Sequence, residues 1–498
     1  MSNQSILILS ILIPLIGGIG ISLLHRAPNL REACTLISSI VLAFVVYSLL
    51  PRILSGETVN ITFREILPGL ALEFNVEPLG MLFACIASGL WIINSLYSIG
   101  YMRGNQEKNQ TRFYIYFTIA ISSSMGIAFA GNMFTLFIFY EILTLSTYPL
   151  VAHKQNSEAK SGARIYLGLL IGTSVGFQLV AIIWTYLITG TLDFTPAGIL
   201  KGKIDPTLLP ILLALYMFGI GKAALMPFHR WLPSAMVAPT PVSALLHAVA
   251  VVKAGVFTVL KVVIYIFGIE FLSETGASTW LIWAASFTLL AASIVAITKD
   301  NLKARLAYST ISQLSYIVLG AALASSIGIL GGGLHIATHA IGKITLFMCA
   351  GAIYVATHKT EISDMTGLGR KMPFTYAAFT IGSLSIIGLP PFAGTWSKWY
   401  LALAAADTQT WMVIGVYMLS SLLNVWYLLS IVAKGFFAPP SETSDPSTGT
   451  IKEAPLLCVL PPCLTAVGCI ALFFFADRIV ELLRPIVCLL YTSPSPRD

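Results

Sequence analysis

Long apolar stretches recur along the whole chain and are separated by short polar segments. A helix of about 20 residues crosses the hydrocarbon core of a bilayer, which is roughly 30 Å thick. Because the bilayer interior holds no water to pair the backbone, such stretches have to be helical. The strands of a β-barrel would instead alternate apolar and polar residues over stretches of about 10, and the sequence shows no such pattern. The chain is therefore predicted to be an all-α membrane protein.

The length criterion predicts about 14 membrane-spanning helices. They lie near residues 3–24, 33–50, 78–101, 112–130, 132–152, 165–188, 207–226, 241–267, 278–298, 304–325, 330–357, 374–402, 409–434 and 455–476.

Composition supports the same class of protein. Of the 498 residues, 56% are hydrophobic and only 10% are charged, whereas soluble domains carry about 25% charged residues. The net charge is +7, but the basic residues lie mostly in short loops and form no stripe interleaved with aromatic residues. Nucleic-acid binding is therefore not expected.

The basic residues occupy every second loop. These loops hold Arg26 and Arg31; Arg103, Lys108 and Arg112; Lys154, Lys160 and Arg164; Arg230; Lys299, Lys303 and Arg305; and Lys359, Arg370 and Lys371. Two of the intervening loops, 57–77 and 270–274, are acidic on balance. Because basic loops face the cytoplasm, the N-terminus is predicted to lie outside.

The cysteines give no sign of a metal or redox centre. The seven cysteines are Cys34, Cys85, Cys349, Cys458, Cys463, Cys469 and Cys488. They are scattered, nearly all lie in apolar stretches, and no CxxC pair or metal-ligand spacing occurs among them. We predict neither an iron–sulfur nor a zinc site, and no cofactor.

The two chain ends differ in character. The first apolar stretch, Ile6 to Leu24, is preceded by no basic residue, so we expect a spanning helix and not a cleaved signal peptide. The last residues, Cys488 to Asp498 (CLLYTSPSPRD), resemble the translation of a sequencing adapter. They are excluded from the fold prediction, and the native C-terminus is expected to be missing.

Four of the ionisable residues inside predicted spanning helices form the first group of candidates. Glu141 and Lys253 are near the middle of their helices, Lys222 is nearer the cytoplasmic end, and Lys398 follows a Pro-Pro and Gly break. An ionisable group at mid-membrane depth costs roughly 2.5–3.5 kcal/mol on insertion scales, so each is a candidate for an ion path. The structural alternatives are a Ser or Thr hydrogen bond for Glu141 and snorkelling to the interface for Lys222.

Histidines form a second group of candidates. His335 and His339 are four residues apart and share one helix face, which Lys343 continues. The pair could bind zinc, but HIATH lacks the glutamate of the HExxH motif, and neutral histidines suit a proton relay. His247 precedes Lys253 by six residues, so it lies on a different part of the helix surface and is either a relay residue or a core histidine.

Two of the predicted helices are interrupted. Met226-Pro227 follows Lys222, and Leu389-Pro390-Pro391 precedes Lys398. An interrupted helix frees backbone groups at membrane depth, which is tolerated only beside a cavity or an ion path. One break in each half of the chain, with a lysine near each, is typical of a transporter built from two structural repeats.

Several long motifs resemble those of one family of membrane subunits. The segment KAALMPFHRWLPSAMVAPTPVSALLHAVAVVKAG, Lys222 to Gly255, resembles the signature of the antiporter-like subunits. These are shared by Mrp-type cation/proton antiporters, respiratory complex I and membrane-bound hydrogenases. FYEILTLSTYPLV around Glu141, HIATHAIGKITLF and LPPFAGTWSKW also match, so the resemblance covers nearly the whole chain. One departure is Glu77 in EPLG, where the family carries aspartate.

The resemblance implies a fold and a domain organisation. The fold is all-α with about 14 helices, including two inverted five-helix repeats that each contain a broken helix. The expected parts are an N-terminal three-helix segment (1–111), a first repeat (112–267), a second repeat (278–434), a C-terminal helix region (435–487) and the adapter-like end (488–498).

The resemblance also implies roles for the candidate residues. Glu141 and Lys222 would form an ion pair, Lys253 would be the central relay lysine, and Lys398 would face the exit path. His335 and His339 match the bridging positions, while His247 and Lys343 remain secondary relay candidates.

The predicted function is that of a proton-translocating membrane subunit of a multi-subunit Na⁺/H⁺ antiporter. The phrases TYPLV and TGTLDF resemble the D-type subunit of Mrp antiporters. The expected location is the bacterial plasma membrane, the expected partners are other hydrophobic subunits, and the expected ions are protons and Na⁺. The alternative is a proton-pumping subunit, without a redox centre of its own, of an NADH:quinone oxidoreductase or a membrane-bound hydrogenase. A scaffold that merely retains the family residues is the third interpretation.

Overall fold

A computed structural model describes residues 3–439 and 451–491, with side chains described as far as residue 486. Within these residues the regular secondary structure is helical apart from an antiparallel hairpin and isolated bridges. Ten helices in this described part of the chain are long and apolar enough to cross a membrane. The other predicted spans correspond to shorter or more polar helices, namely α5, α9, α14 and the pair α17 and α18 in the numbering below.

The first part of the chain contains α1 (Asn3–Leu23), α2 (Pro28–Tyr47), α3 (Leu50–Leu54), β1 (Val59–Leu67), β2 (Leu70–Val76) and α4 (Pro78–Gly104). The predicted first repeat contains α5 (Gln110–Ala128), α6 (Met133–Val151), α7 (Ser157–Thr173), α8 (Leu179–Thr189), α9 (Leu209–Gly219), α10 (Trp231–Ser234) and α11 (Val251–Lys261), and α12 (Ile269–Thr275) follows it. The predicted second repeat contains α13 (Thr279–Thr298), α14 (Leu302–Ala322), α15 (Ser326–Thr357), α16 (Leu368–Lys371), α17 (Pro373–Ile387), α18 (Gly394–Asp407) and α19 (Trp411–Phe437). The end consists of α20 (Leu456–Phe474) and α21 (Ala476–Tyr491).

Polar caps fix the starts of several spanning helices. The side chain of Asn132 accepts from Thr135 N at 2.8 Å at the start of α6. Asn301 caps α14 in the same way, by accepting from Ala304 N at 3.1 Å. Each cap satisfies one of the backbone N–H groups that a helix start leaves unpaired. These caps explain why apolar stretches that are nearly continuous in sequence divide into separate helices.

The bundle has an apolar outside and a partly polar inside. Large apolar side chains on the surface include Phe44, Leu187 and Trp426, which are 76%, 76% and 69% exposed. The segment Val242–Phe267, which runs through π-helical turns on both sides of α11, is instead entirely buried. It contains Lys253 and Lys261, so the most enclosed helix of the bundle carries two cationic side chains.

Both predicted helix breaks are present. Helix α9 ends at Gly219, Lys222 lies in the 3₁₀ turn Gly221–Ala223, and helical structure resumes at α10. The second break separates α17 from α18, and Lys398 lies one turn into α18. The first break therefore begins before Lys222 and not after it, as the position of Met226-Pro227 had suggested. The Trp231 indole donates to Gly221 O at 2.8 Å, which pairs one of the freed carbonyls.

A β-hairpin that was not predicted covers one end of the bundle. Its strands pair from Val59 with Val76 to Leu67 with Leu70. The start of α6 holds it, since Asn132 Nδ2 donates to Ala71 O at 2.7 Å. The amphipathic helix α21 packs against α4 and α15, and its buried residues include Leu482, Leu483 and Ile486. Of the adapter-like end, 488–491 are helical and 492–498 lie outside the described residues.

Candidate functional site

Lys222 is held by oxygens of α6 inside the first helix break. Its Nζ donates to Tyr140 O at 2.9 Å and to Thr144 Oγ1 at 2.5 Å. The same Nζ lies 3.1 Å from the centroid of the Tyr140 ring, a cation–π contact. The side chain is completely buried, so these contacts replace its hydration.

The ion pair expected between Glu141 and Lys222 is not formed. Glu141 is near enough to act electrostatically on Lys222, but the two residues are not among the ion pairs of the described chain. Both carboxylate oxygens of Glu141 are buried without a hydrogen-bond partner there. The reason is geometric, because the neighbouring Tyr140 carbonyl and the Thr144 hydroxyl already take the ammonium group.

Lys253 joins the two halves of the chain. Its Nζ makes a direct hydrogen bond with Nδ1 of His339, which lies on α15 of the predicted second repeat. The rings of His339 and His335 are stacked, with centroids 5.8 Å apart and planes inclined by 14°. The prediction that the two histidines share a helix face is confirmed by this stacking. The Nε2 atoms of both rings are buried and have no partner among the described residues.

A further hydrogen bond brings the histidines to the second break. His335 Nδ1 lies 2.9 Å from the hydroxyl of Ser397, the residue that precedes Lys398. Lys398 Nζ donates to Ile387 O at 2.9 Å and to Ser421 Oγ at 3.0 Å. Ile387 is the last residue of α17, so its carbonyl is free for this contact because the helix ends there.

Two secondary candidates lie apart from this line. Lys343 points to α14, where Nζ donates to Leu306 O at 3.3 Å and to Ser309 Oγ at 2.6 Å. His247 is completely buried, and neither of its ring nitrogens has a partner among the described residues. Its ring lies 6.1 Å from that of Tyr166 and 6.4 Å from that of Trp231. The structure therefore leaves His247 between a relay residue and a core histidine.

The buried pair of Lys261 and Glu77 was missed by sequence reasoning. Lys261 Nζ lies 2.5 Å from Glu77 Oε1, and the Lys261 side chain is 1% exposed. The rings of Phe194 and Tyr265 surround the ammonium group, with centroids 4.0 and 4.7 Å away. The signal was available, because Lys261 follows Lys253 by two helical turns in the same apolar stretch.

Of two cavities in the described part of the chain, the first reaches a candidate residue. One, of about 670 Å³, opens at the apolar surface beside the second break and is lined by Lys398, Trp396, Trp399 and Leu422 among others. The other, of about 540 Å³, lies at the end of the bundle that carries the basic loops and includes Lys303 in its lining. Lys398 is thus reached from outside the bundle through the first of these cavities.

A sequence profile described as NADH:quinone oxidoreductase/Mrp antiporter, transmembrane, matches residues 130–424, which is more than half of the chain. The chain belongs to this antiporter-like family. The matched region contains Glu141, the three lysines and both stacked histidines. The predicted resemblance is confirmed, and the protein is a multi-pass membrane subunit of the antiporter type found in complex I and Mrp assemblies.

Known proteins of this antiporter-like family are similar over most of the chain. NADH-quinone oxidoreductase subunit N of Desulforudis audaxviator is 29% identical over 95% of this chain and 96% of its own length. NADH-quinone oxidoreductase subunit L of Mycobacterium tuberculosis is 30% identical over 84% of this chain and 66% of its own length. NAD(P)H-quinone oxidoreductase chain 5 of Synechocystis is 34% identical over 66% of this chain. The chain spans about half (49%) of that longer relative.

Solved structures share the fold. A chain of the membrane-bound sulfane sulfur reductase, an archaeal respiratory membrane complex, has a TM-score of 0.86 and 25% identity, and the similarity covers 98% of this chain and 99% of that one. A chain of the Mrp complex from Dietzia sp. has a TM-score of 0.86 at 21% identity, over 99% of this chain and 98% of that one. The predicted fold class is confirmed. These relatives are subunits of multi-subunit membrane complexes.

Proposed function

We propose that this subunit moves protons between Lys222, Lys253 and Lys398, with His339 and His335 as the bridge between the last two. The observation that carries the proposal is the buried line of polar contacts from Lys253 through both histidine rings and Ser397 to the second break. Buried ionisable groups are costly in a membrane protein, so a connected row of them is best explained by transport.

The contact between Lys253 and His339 supports a shared proton. A lysine ammonium has only donors, so it can bond to His339 only if Nδ1 is the acceptor of a neutral ring. In that tautomer Nε2 carries the ring proton and faces away from Lys253. A proton taken up at Nδ1 can then be released from Nε2, which has no other partner among the described residues. Because the groups interact closely, they titrate as a set and not one at a time.

Glu141 is the residue that can return Lys222 to its charged form. Its free carboxylate and the Lys222 ammonium are neighbours that do not touch in this conformation. An approach of Glu141 would stabilise the charged form of Lys222, and a retreat would release a proton toward Lys253. A membrane potential contributes roughly 2.3 kcal/mol per charge for 100 mV, and one pKa unit corresponds to about 1.36 kcal/mol. Modest rearrangements therefore suffice to couple the steps.

The relay is tested by proton-coupled transport in vesicles that contain the intact complex. We expect Lys398→Met to abolish transport and Lys253→Met to lower it strongly, because each removes the only titrating group at its position. Glu141→Gln should slow transport strongly, whereas Lys201→Met, which removes an exposed lysine paired with Glu274, should not. Full transport in all of the buried variants would refute the relay.

The proposal also covers the type of complex that contains this subunit and the cation that the complex transports. We propose an Mrp-type Na⁺/H⁺ antiporter of the bacterial plasma membrane, in which this chain is the equivalent of the D-type component and its repeats span 112–267 and 278–434. The phrases TYPLV and TGTLDF and the lysine at position 398 favour it. The second candidate is a component of an NADH–quinone oxidoreductase, which the similarity to the N and L subunits of that enzyme favours.

Purification of the complex from its native membrane distinguishes the two. Small hydrophobic subunits alone, together with transport that requires Na⁺, would support the antiporter. Copurified flavin or iron–sulfur proteins, together with proton transport that does not respond to Na⁺, would support the oxidoreductase.

A further inference from the structure

The second half contains a cluster of buried polar side chains that the relay does not use. Its members lie on three helices: Ser309 on α14, Lys343 on α15, and Asn424 and Tyr427 on α19. All four are 0% exposed. Burying a polar group costs free energy unless it is hydrogen-bonded, and this holds strongly inside a membrane protein. Packing alone does not account for four completely buried polar side chains in one cluster.

The members are joined by short hydrogen bonds. Lys343 Nζ donates to Ser309 Oγ at 2.6 Å. The hydroxyl of Tyr427 lies 2.8 Å from the same Ser309 oxygen and 2.5 Å from Asn424 Oδ1. One unbroken chain of contacts therefore runs from the Lys343 ammonium to the Asn424 amide.

The chemistry of these groups sets the direction in which a proton can travel. Lys343 can only donate, and Asn424 Oδ1 can only accept. In the structure Ser309 Oγ accepts from both Lys343 and Tyr427, and the single hydroxyl hydrogen of Tyr427 is shared between Ser309 and Asn424 Oδ1. Transfer from Lys343 therefore requires the Ser309 hydroxyl to turn its hydrogen toward Tyr427, while the Tyr427 hydrogen points to Asn424. A proton that leaves Lys343 for Ser309 then displaces the Ser309 proton to Tyr427, and the Tyr427 proton passes to Asn424 Oδ1. Each hydroxyl gains and loses one proton, and the amide stays neutral because Asn424 Nδ2 releases one hydrogen as Oδ1 takes one up. This is the arrangement that a proton wire requires.

Unpaired amide atoms mark the continuation of the chain. Asn424 Nδ2 and both side-chain polar atoms of Gln313 are buried and have no partner among the described residues. Gln313 lies one turn after Ser309 on α14, so these atoms extend the same polar region. Unpaired buried amides are the groups that a bridging water satisfies.

Serine hydroxyls continue from there to the second break. Ser420, one turn before Asn424 on α19, has its oxygen 3.2 Å from that of Ser293 and 3.4 Å from that of Ser312. The next residue, Ser421, accepts from Lys398 Nζ at 3.0 Å. The serines of α19 thus lie between the cluster and the terminal lysine of the relay.

We propose that Lys343, Ser309, Tyr427 and Asn424 form a second branch of the proton relay, which reaches Lys398 through the serines of α19 in parallel with the histidine bridge. The inference rests on the proposed function, since a branch has meaning only if Lys398 takes part in proton transfer. It assigns Tyr427 and Ser309 as relay residues and makes Lys343 a point from which protons reach Lys398 without passing His335.

The test compares single and double variants in vesicles that contain the intact complex. Tyr427→Phe keeps the ring and removes one hydroxyl, and His335→Gln interrupts the histidine bridge. For two parallel routes, each single variant retains part of the proton-coupled rate, the two residual rates add up to the wild-type rate, and the double variant loses transport. Ser309→Ala should reproduce Tyr427→Phe in both backgrounds.

Tyr376→Phe is the matched control. Tyr376 is also completely buried, but its hydroxyl has no hydrogen-bond partner among the described residues and lies on α17, outside the cluster. It should leave the rate unchanged alone and in the His335→Gln background. Copurification of the partner subunits confirms that each variant assembles.

Two results would overturn the branch. If Tyr427→Phe and Ser309→Ala leave the transport rate unchanged in both backgrounds, as Tyr376→Phe is expected to do, the cluster carries no protons. Complete loss of transport in His335→Gln alone would show a single route. Lys398→Met then shows whether the proposed function fails as well. If Lys398→Met leaves transport unchanged, the proposed function fails together with the branch. If Lys398→Met abolishes transport while the tyrosine variant is silent, the branch alone fails.

Discussion

Three lysines inside the bundle share one pattern of contacts. Lys222, Lys343 and Lys398 each donate to one backbone carbonyl and one side-chain hydroxyl. Such neutral oxygens solvate an ammonium group without cancelling its charge, whereas a carboxylate in contact would hold the proton in place. Lys261 shows the contrast, because it touches Glu77 directly. We infer that Lys222, Lys343 and Lys398 are placed to exchange protons, whereas Lys261 stabilises the fold.

This contrast predicts how the Glu77–Lys261 pair responds to substitution. Lys261→Met leaves a carboxylate unpaired in a nearly closed site, which should lower the free energy of unfolding by about 3–5 kcal/mol. Adding Glu77→Gln removes the unpaired charge, so the double variant should recover most of the loss. Thermal unfolding in detergent measures both, and Lys201→Met, at an exposed ion pair, should change stability by less than about 1 kcal/mol. A double variant as unstable as the single one would contradict this account.

His153, in the turn after α6, predicts a loss of stability in acid. Burial, with smaller contributions from Arg112 and Lys154, lowers the pKa of His153 to about 4. The unfolded chain binds a proton near pH 6.5, but the folded one does not until about pH 4. The free energy of unfolding should therefore fall between these values, by up to about 3 kcal/mol.

The measurement is thermal unfolding at pH 7.5 and pH 5. His153→Gln should reduce the difference between the two temperatures, and the same substitution at the exposed His25 should leave it unchanged. An equal difference in wild type and His153→Gln would rule out His153 as the cause.

At the scale of elements, the first break depends on close packing against α11. A Cβ atom on Gly255 would lie 2.7 Å from Lys222 O and closer still to the backbone of Ala223. Since backbone cannot move aside as a flexible side chain can, Gly255→Ala should displace the turn that holds Lys222. We expect a marked loss of proton-coupled transport in vesicles.

Gly172→Ala is the control for this substitution. No atom lies within 4 Å of the position of its Cβ, and alanine is the better helix former by about 1 kcal/mol. It should leave transport intact and stability unchanged or slightly higher. Equal transport in the two alanine variants would show that the break tolerates displacement.

Hydrophobic length predicted the spanning helices well, because a bilayer imposes one length on every segment. It did not predict the hairpin, whose strands are held by contacts with the distant start of α6, such as Asn132 with Ala71. A two-stranded hairpin has little stability of its own, so its sequence carries a weak signal. The sequence also could not predict that Glu141 and Lys222 form no ion pair, because this depends on which oxygen atoms accept hydrogen bonds from the Lys222 ammonium group.

At the scale of the whole molecule, the alternation of loops predicts its orientation. Gly56, which precedes β1, and Lys108, which precedes α5, should lie on opposite sides of the membrane with Lys108 inside. Single cysteines at these positions, in a chain whose seven native cysteines are replaced, can be labelled with a membrane-impermeant maleimide. We expect Gly56→Cys to react in intact cells and Lys108→Cys only in inverted vesicles. Labelling of both from one side would refute the topology.

The enclosure of Val242–Phe267 also bears on how the protein is made. This segment enters the membrane before all of its surroundings exist, because the partner of Lys253 is 86 residues away, on a later helix. Until α15 is synthesised, the lysine faces the bilayer at a cost of roughly 2.5–3.5 kcal/mol. Lys261 has its partner already, since Glu77 precedes it in the chain. The segment that carries Lys253 therefore has to be protected from lipid during biosynthesis. His339, which bridges Lys253 to His335 in the proposed relay, is also the residue that completes the polar surroundings of Lys253.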